Sequence, residues 1–377
     1  MTLKRNLYVL AGLAIIIGLY GFGVRLFVGE RGVNYGSYVT WGLWVAMYLF
    51  FAGVATGAFM LATLDHLFEV PLFKGTGKYA LWGAMVAMPA ALIIIGMDLG
   101  HMTRIWKVYL QPNFTSLMAQ LVWGYTLFTL VIVASLWLTA RQPNTLLTKT
   151  VMAIGLFLAV FMSGGVGALL GVNVSRSSWH SSMLPAQFPI FSLTSGVALL
   201  LIAAGWFMTA SEQRTKLLRV LSVALIVLLG VKAYYLWTDY SLAVYGGAPD
   251  AVAAVDLVLF GPYSWAFWAL QLVVGMIIPV ILLAQPKFRQ NGWVAGLMGV
   301  FVLIGFAVAR ANIIFPALSI PELEGLRSAF TGPHLNFDYF PSFLEWSVTV
   351  GVIGLATLAF LVGIDRLPRF SGKEMTE

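Results

Sequence analysis

The feature that most constrains this chain is an uninterrupted apolar run of about 20 residues that recurs along it. An α-helix of that length crosses the bilayer core, whereas the strands of membrane barrels show only alternating segments of about 10 residues. The sequence therefore predicts an all-α, polytopic membrane protein with ten transmembrane helices. We expect these helices at about 6–28, 41–64, 79–104, 116–139, 150–172, 187–210, 217–240, 261–284, 292–314 and 342–364.

Composition supports a single membrane domain over all 377 residues, because 60% of them are hydrophobic and only 10% are charged. A soluble fold of this length has no core large enough for so much apolar surface. The first run follows Lys4 and Arg5, as a signal peptide would, but it is too long and no small-residue cleavage site follows it. We expect it to remain as a membrane helix.

The cations predict the orientation of the helices. With ten helices both termini lie on one side, and that side has 14 Lys and Arg residues against 6 on the other. The positive-inside rule then predicts a multi-pass protein of the cytoplasmic (inner) membrane with both termini in the cytoplasm. The larger set is Lys4, Arg5, Lys74, Lys78, Arg141, Lys149, Arg214, Lys216, Arg219, Lys287, Arg289, Arg366, Arg369 and Lys373.

The chain contains no cysteine. Disulfides, thiolate-bound iron–sulfur clusters and a cysteine nucleophile are therefore excluded, and any electrons must be carried by another molecule. The formal net charge of +7 does not indicate nucleic acid binding, because the cations cluster in loops beside the lipid bilayer.

Three ionisable residues interrupt the outer end of the third helix, in "LIIIGMDLGHMTRIW": Asp98, His101 and Arg104. At 100° per residue these positions share one helix face. Placing a charged group inside the bilayer costs a few kcal/mol of free energy, so such groups usually pair with each other or line an ion or substrate pathway. An acid beside an imidazole suits proton exchange, and the alternative is a structural ion pair between Asp98 and Arg104.

Other polar residues are predicted on the same outer side: His180 and His334 in loops, Arg310 near the end of helix 9, and Glu345 in the first turn of helix 10. Such a concentration fits an amphipathic ligand site at the outer interface. The plainer alternatives are ordinary loop histidines and a glutamate that favours the positive end of its helix dipole. Lys232, inside helix 7, needs a partner, for which the candidates are Asp239, Glu345 and Asp98.

Five segments occur in order along the chain: "YGSYVTWGLWVAMYLFFAGVATGAF", "IIIGMDLGH", "PAQFPIFSLTSG", "AVARAN" and "YFPSFLEWSVTVG". In these segments the chain resembles the NrfD/PsrC family of quinone-interacting membrane subunits. Within the family it is most similar to the long, ten-helix type of the DsrP subunit of the Dsr transmembrane complex. The HybB-type subunit of uptake hydrogenase is the second choice.

The resemblance implies two four-helix bundles, helices 2–5 and 6–9, with helices 1 and 10 added. It also implies a chain without haem, iron–sulfur cluster or metal site. An extracytoplasmic, ferredoxin-like iron–sulfur subunit would dock on the outer face, with further redox subunits of cytochrome c and cytochrome b type. The family's acid near the end of helix 3 corresponds to Asp98, its helix 9 arginine to Arg310, and the acid after Tyr-Phe-Pro to Glu345.

We therefore expect a subunit that exchanges electrons between menaquinone and the iron–sulfur partner, in sulfur or sulfite metabolism. Its pocket would draw on Asp98, His101, Arg104, His180, Arg310 and Glu345. Quinone chemistry needs a proton acceptor, here Asp98 with His101, and a cation that orients the ring, here Arg310 or Arg104. Two other classes remain open: a secondary transporter, with polar groups at the midplane, and a di-haem cytochrome b, with histidines in facing pairs.

Overall fold

The computed structural model describes residues 2–330 and 332–366, which contain helices and no strand. Ten of these helices are long and apolar enough to cross a membrane, as predicted. They are α1 (Thr2–Phe27), α2 (Leu43–His66), α3 (Gly77–Asp98), α4 (Leu117–Arg141), α5 (Leu146–Gly171), α6 (Leu184–Trp206), α7 (Glu212–Gly246), α8 (Ala266–Ala284), α9 (Gly292–Leu318) and α10 (Phe343–Arg366). Arg369 and Lys373, counted above with the cytoplasmic cations, lie outside the described residues.

Two helix bounds differ clearly from the prediction. Helix α3 ends at Asp98 and not near 104, because Leu99 adopts an extended backbone with φ −71° and ψ 116°. Helix α7 spans 35 residues and not the predicted 24 or so. It begins earlier because the Ser211 side chain accepts from the Arg214 amide, and it ends later at Gly247, whose φ of +68° suits a glycine cap.

The helices form two rings of four, which confirms the predicted bundles. In the first ring α2 packs on α3 and α5, and α4 packs on the same two helices. In the second ring α6 packs on α7 and α9, while α8 packs on the same two helices. Helices α1 and α10 pair with each other outside the rings, and α10 packs against α3 and α2.

The two rings meet along α2 and α6, the most deeply buried of the ten helices. At their crossing, a Cβ atom on Gly57 would collide with backbone atoms of Ser192 and Gly196. A Cβ atom on Gly196 would in turn collide with the backbone of Gly57. Small residues allow this close approach where lipid provides no hydrophobic drive for helix association.

The connections differ at the two ends of the molecule. One end, here called the short-loop end, carries the segments 67–76, 142–145, 207–211 and 285–291. The other, the loop-rich end, carries 28–42, 99–116, 172–183, 247–265 and 319–342. Its loops are tied to helices: Trp179 Nε1 donates to the Ile313 carbonyl at 2.7 Å, and Arg176 Nη1 donates to the Ala317 carbonyl at 3.0 Å. These bonds give the loop-rich end fixed clefts.

The glycine contact between α2 and α6 predicts a stability difference. We expect Gly57→Ala to lower the thermal midpoint of the detergent-purified protein, because a methyl group forced into the α2–α6 contact costs about 1–3 kcal/mol. The matched control is Gly230→Ala on α7, where a Cβ atom meets nothing within 4 Å. An equal effect of the two substitutions would contradict this packing.

Candidate functional site

A cleft of about 640 Å³ opens at the loop-rich end beside the first ring. We call it the first-bundle cleft. It lies between the 28–40 loop, the end of α3 and the last loop. Its polar lining includes Glu30, Arg31, Tyr35, Asp98 and His334.

Two polar atoms in the first-bundle cleft are shielded from solvent without a hydrogen-bond partner. They are Asp98 Oδ1 and the hydroxyl of Tyr35. Burial, together with the carboxylates of Asp98 and Glu30, raises the pKa of Tyr35, so its hydroxyl stays protonated and can donate. Because buried polar groups are nearly always paired, two orphaned atoms in one cleft indicate a place for a ligand or water.

Arg25 determines how Asp98 is presented. Its side chain is only 5% exposed, and it donates from Nε to the Met97 carbonyl at 2.6 Å and from Nη2 to the Leu99 carbonyl at 2.8 Å. Nη2 also pairs with Glu30 Oε1 at 2.8 Å. A cation at a helix C-terminus stabilises the free carbonyls there, so Arg25 fixes the point at which α3 ends. From the sequence, Arg25 was only one of the six cations on the outer side, although its place in the last turn of an apolar helix was a signal.

The prediction that Asp98, His101 and Arg104 share a helix face is wrong. Because α3 ends at Asp98, His101 precedes a separate short turn, Met102–Arg104. The side chains of His101 and Arg104 are exposed, and neither lines the first-bundle cleft. The histidine that does line it is His334, held in a left-handed backbone conformation with φ +62°.

Glu345 is completely buried, and protein donors occupy both of its oxygen atoms. Oε1 accepts from the amides of Asn34 at 2.9 Å and Ser342 at 3.1 Å. Oε2 accepts from the Leu43 amide at 3.3 Å and from the Tyr339 hydroxyl. Glu345 therefore joins the first and last loops and does not line the cleft.

A second cleft of about 320 Å³ lies within the second ring and opens at the same end. We call it the second-bundle cleft. Its polar lining includes His180, Gln187, Lys232, Asp239, Gln271 and Asn312. Between the two clefts the indole rings of Trp41 and Trp179 stack, with centroids 5.6 Å apart.

The six predicted site residues thus do not share one pocket. Asp98 lines the first-bundle cleft and His180 the second, while Arg310 lines neither. The Arg310 guanidinium is buried where the rings meet, 4.0 Å from the centroid of the Phe188 ring, and its Nη1 has no hydrogen-bond partner. The reason is that the clefts belong to different rings, which meet along α2 and α6.

The bonding of Glu345 predicts a structural role. In Glu345→Gln the amide nitrogen would face backbone or hydroxyl donors whichever way it turned, which leaves donors unpaired at a cost of about 1–3 kcal/mol. We expect a lower thermal midpoint, measured by unfolding in detergent. Glu324→Gln, at an exposed position in the last loop, should have no effect. Unchanged stability of Glu345→Gln would contradict this role.

Comparison with known proteins assigns the chain to a family. A selenate reductase subunit of Mesobacillus selenatarsenatis is 29% identical to this chain, over 98% of this chain and 95% of the relative. The Hdr-like menaquinol oxidoreductase integral membrane subunit of Archaeoglobus fulgidus is 26% identical, over 92% of this chain and 89% of the relative. The menaquinone reductase integral membrane subunit of Nitratidesulfovibrio vulgaris is 22% identical, over 95% of this chain and 91% of the relative. Residues 33–322 match the family described as polysulphide reductase, NrfD. The match covers most of the chain and confirms the predicted resemblance: this multi-pass membrane protein belongs to the NrfD family.

Proposed function

We propose that this chain is the quinone-interacting membrane subunit of a redox complex, with its quinone site in the first-bundle cleft. The observation that carries the proposal is the pair of orphaned polar atoms, Asp98 Oδ1 and the Tyr35 hydroxyl, in that cleft. Family membership supports it, as do the two relatives whose names refer to menaquinol and menaquinone.

The first-bundle cleft suits a ring with oxygen atoms. Its volume of about 640 Å³ lies within the range of small-molecule sites, about 300–1,000 Å³. Val28 and Val33 contribute apolar wall, while Tyr35, Asp98 and His334 contribute polar groups. Most of the remaining lining is polar as well, and polar groups in fixed positions orient a ligand and give specificity.

The residues have separate tasks. A quinol gives up two electrons and two protons as it becomes a quinone. The Tyr35 hydroxyl donates a hydrogen bond to one ring oxygen and positions the ring. Asp98 Oδ1 accepts the two protons one after the other, since a general base must lie within hydrogen-bond reach of the group it deprotonates. His334, which is exposed and lines the same cleft, passes each proton to bulk water before the next is taken. The two electrons leave to the iron–sulfur partner. Arg25 acts indirectly, because it holds the end of α3 and thereby positions Asp98.

The partners follow from the orientation. The cations favour the loop-rich end as the extracytoplasmic side, with both termini in the cytoplasm and the protein in the cytoplasmic membrane. A ferredoxin-like iron–sulfur subunit would dock on the loop-rich end and exchange electrons with menaquinone in the cleft beneath it. Further subunits of cytochrome c and cytochrome b type would complete a DsrP-like complex of sulfur metabolism, or a hydrogenase complex as the second choice.

The two alternative classes receive less support. A di-haem cytochrome b needs facing histidine pairs inside a bundle, yet His101, His180 and His334 lie in segments that connect the helices, and only His66 belongs to a spanning helix. A transporter with inverted repeats needs a site near the midplane that opens to both sides. Both clefts described above open at the loop-rich end.

The role of Asp98 predicts a selective loss of activity. In the assembled native complex, Asp98→Asn should lower quinol-linked turnover by about 10²–10⁴-fold, the usual contribution of a general base. Assembly should be unaffected, because Asp98 Oδ1 makes no hydrogen bond that the substitution would break. The measurement is quinol oxidation alongside subunit stoichiometry.

His101→Gln is the matched control, since His101 is three residues away and exposed. It should retain turnover within about twofold, which is the size of an ordinary surface effect of a few tenths of a kcal/mol. Normal turnover in Asp98→Asn would remove Asp98 from the mechanism. A large loss of turnover in His101→Gln would show that a residue outside the first-bundle cleft handles the proton.

A further inference from the structure

The second-bundle cleft has no task in the function proposed above, although its lining is unusual. It extends from the 177–181 loop into the second ring, between α6, α7, α8 and α9. Its volume of about 320 Å³ is sufficient for a small ligand. Aromatic rings of Trp179, Phe191 and Tyr240 contribute to its walls.

Lys232 lines the second-bundle cleft with an ammonium group that nothing satisfies. The residue is 1% exposed, and its Nζ has no hydrogen-bond partner. The nearest features are aromatic: Nζ lies 3.6 Å from the centroid of the Phe306 ring and 5.4 Å from that of Phe191. Cation–π attraction offsets part of the lost hydration, but it leaves the three N–H donors unused. An unpaired buried amine is a donor that an acceptor oxygen of a ligand or a water molecule could satisfy.

Asp239, one of the three carboxylates considered as a partner of Lys232, is engaged elsewhere. Both oxygens of Asp239 accept from Gln187 Nε2 at 2.9 Å. A second pair, Asn312 Nδ2 to Gln271 Oε1 at 2.8 Å, fixes two more amides on the cleft wall. The lining is therefore oriented in advance, which is typical of a binding site.

Gln271 reaches the second-bundle cleft through an unusual stretch of α8. Residues Ala266–Ile277 form a π-helix, and Gln271 is 1% exposed within it. π-Helical turns are rare and occur frequently at functional sites, because the wider turn redirects side chains. This backbone feature indicates a site independently of the charge on Lys232.

The two clefts occupy corresponding places in the two rings. Helices α2 and α6 both start at the loop-rich end, directly after the loops that carry the stacked Trp41 and Trp179. In each ring the next helix supplies an aspartate to the cleft: Asp98 from α3 and Asp239 from α7. Similar architecture at equivalent positions indicates ligands of the same class.

We propose that the second-bundle cleft binds a second quinone-type ligand, a planar ring whose carbonyl oxygen accepts a hydrogen bond from Lys232. Arg310, 5.9 Å from the centroid of the Phe191 ring that Lys232 also approaches, makes the deep end of the cleft positive. That field favours an electron-rich oxygen at Lys232. The aromatic walls enclose the ring, and the opening at the loop-rich end admits it. The choice of ligand rests on the proposed function.

The test counts binding sites for menadione, a naphthoquinone without a tail, by equilibrium dialysis against the detergent-purified full chain. Because the chain has no cysteine, thiol addition to menadione does not interfere. Four proteins are compared: wild type, Lys232→Met, Tyr35→Phe, which removes the hydroxyl that donates to the ring oxygen in the first-bundle cleft, and the double variant. We expect two saturable sites in the wild type, one in each single variant and none in the double variant, which serves as the blank for micelle partitioning.

The outcomes separate the two proposals. If Lys232→Met binds as wild type does while Tyr35→Phe loses its site, the second site is overturned and the proposed function is retained. If Lys232→Met loses a site and Tyr35→Phe does not, the second site is supported and the first-bundle cleft loses its assigned role. Wild type without saturable binding overturns both.

Two further variants guard against a folding artefact. Lys232→Met removes an unpaired buried charge, so the fold should be retained, which size exclusion and the thermal midpoint would verify. Ala243→Phe, at a half-buried wall position, should block the same cleft while Lys232 remains. Lys232→Arg should restore a donor and bring affinity back to within about tenfold of wild type. Full binding by Ala243→Phe would overturn the proposal.

Discussion

The contact between α2 and α6 is the constraint on which the remaining architecture depends. At Gly57 and Gly196 the two backbones touch, so no side chain separates the rings there. Close packing at one level forces each ring to enclose its own interior, and each interior opens separately among the loops. Arg310, which sequence analysis placed in the ligand pocket, lies instead in this seam, where Gly53 leaves room for its guanidinium.

Much of the fold was predictable because the lipid bilayer determines which secondary structure can cross it. A bilayer imposes helix length and internal hydrogen bonding, so apolar runs predicted the ten helices and their order. The end of α3 was not predictable from the same signal. Its position depends on Arg25 of α1, a residue distant in sequence that takes the Met97 and Leu99 carbonyls. Helical periodicity does not report such a tertiary contact. His101 and Arg104 were therefore predicted on the same helix face as Asp98, although α3 ends before them.

The predicted topology gave the depth of each polar residue in the membrane, but not the ring or cleft in which it lies. It placed Asp98, His180, Arg310 and Glu345 toward one end, where the structure also has them. At that depth, however, a residue can line either cleft or lie between the two rings. What distinguishes these residues is the state of their polar atoms. Those of Glu345 are occupied by Asn34, Leu43, Tyr339 and Ser342, which makes it a structural junction. Atoms of Asp98 and Lys232 have no such partners, and only a three-dimensional account of donors and acceptors reveals that difference.

The common direction of α2 and α6 has an energetic consequence. Rings that start at the same end differ from the inverted repeats of many transporters, which are related by an axis in the membrane plane and expose one site alternately to two compartments. Here both clefts open at one end. Under the proposed function, protons released at the first-bundle cleft would leave on the same side as the partner that takes the electrons, so quinol turnover there would be electroneutral by itself. Any membrane voltage generated by the full assembly would then come from charge that moves through another route.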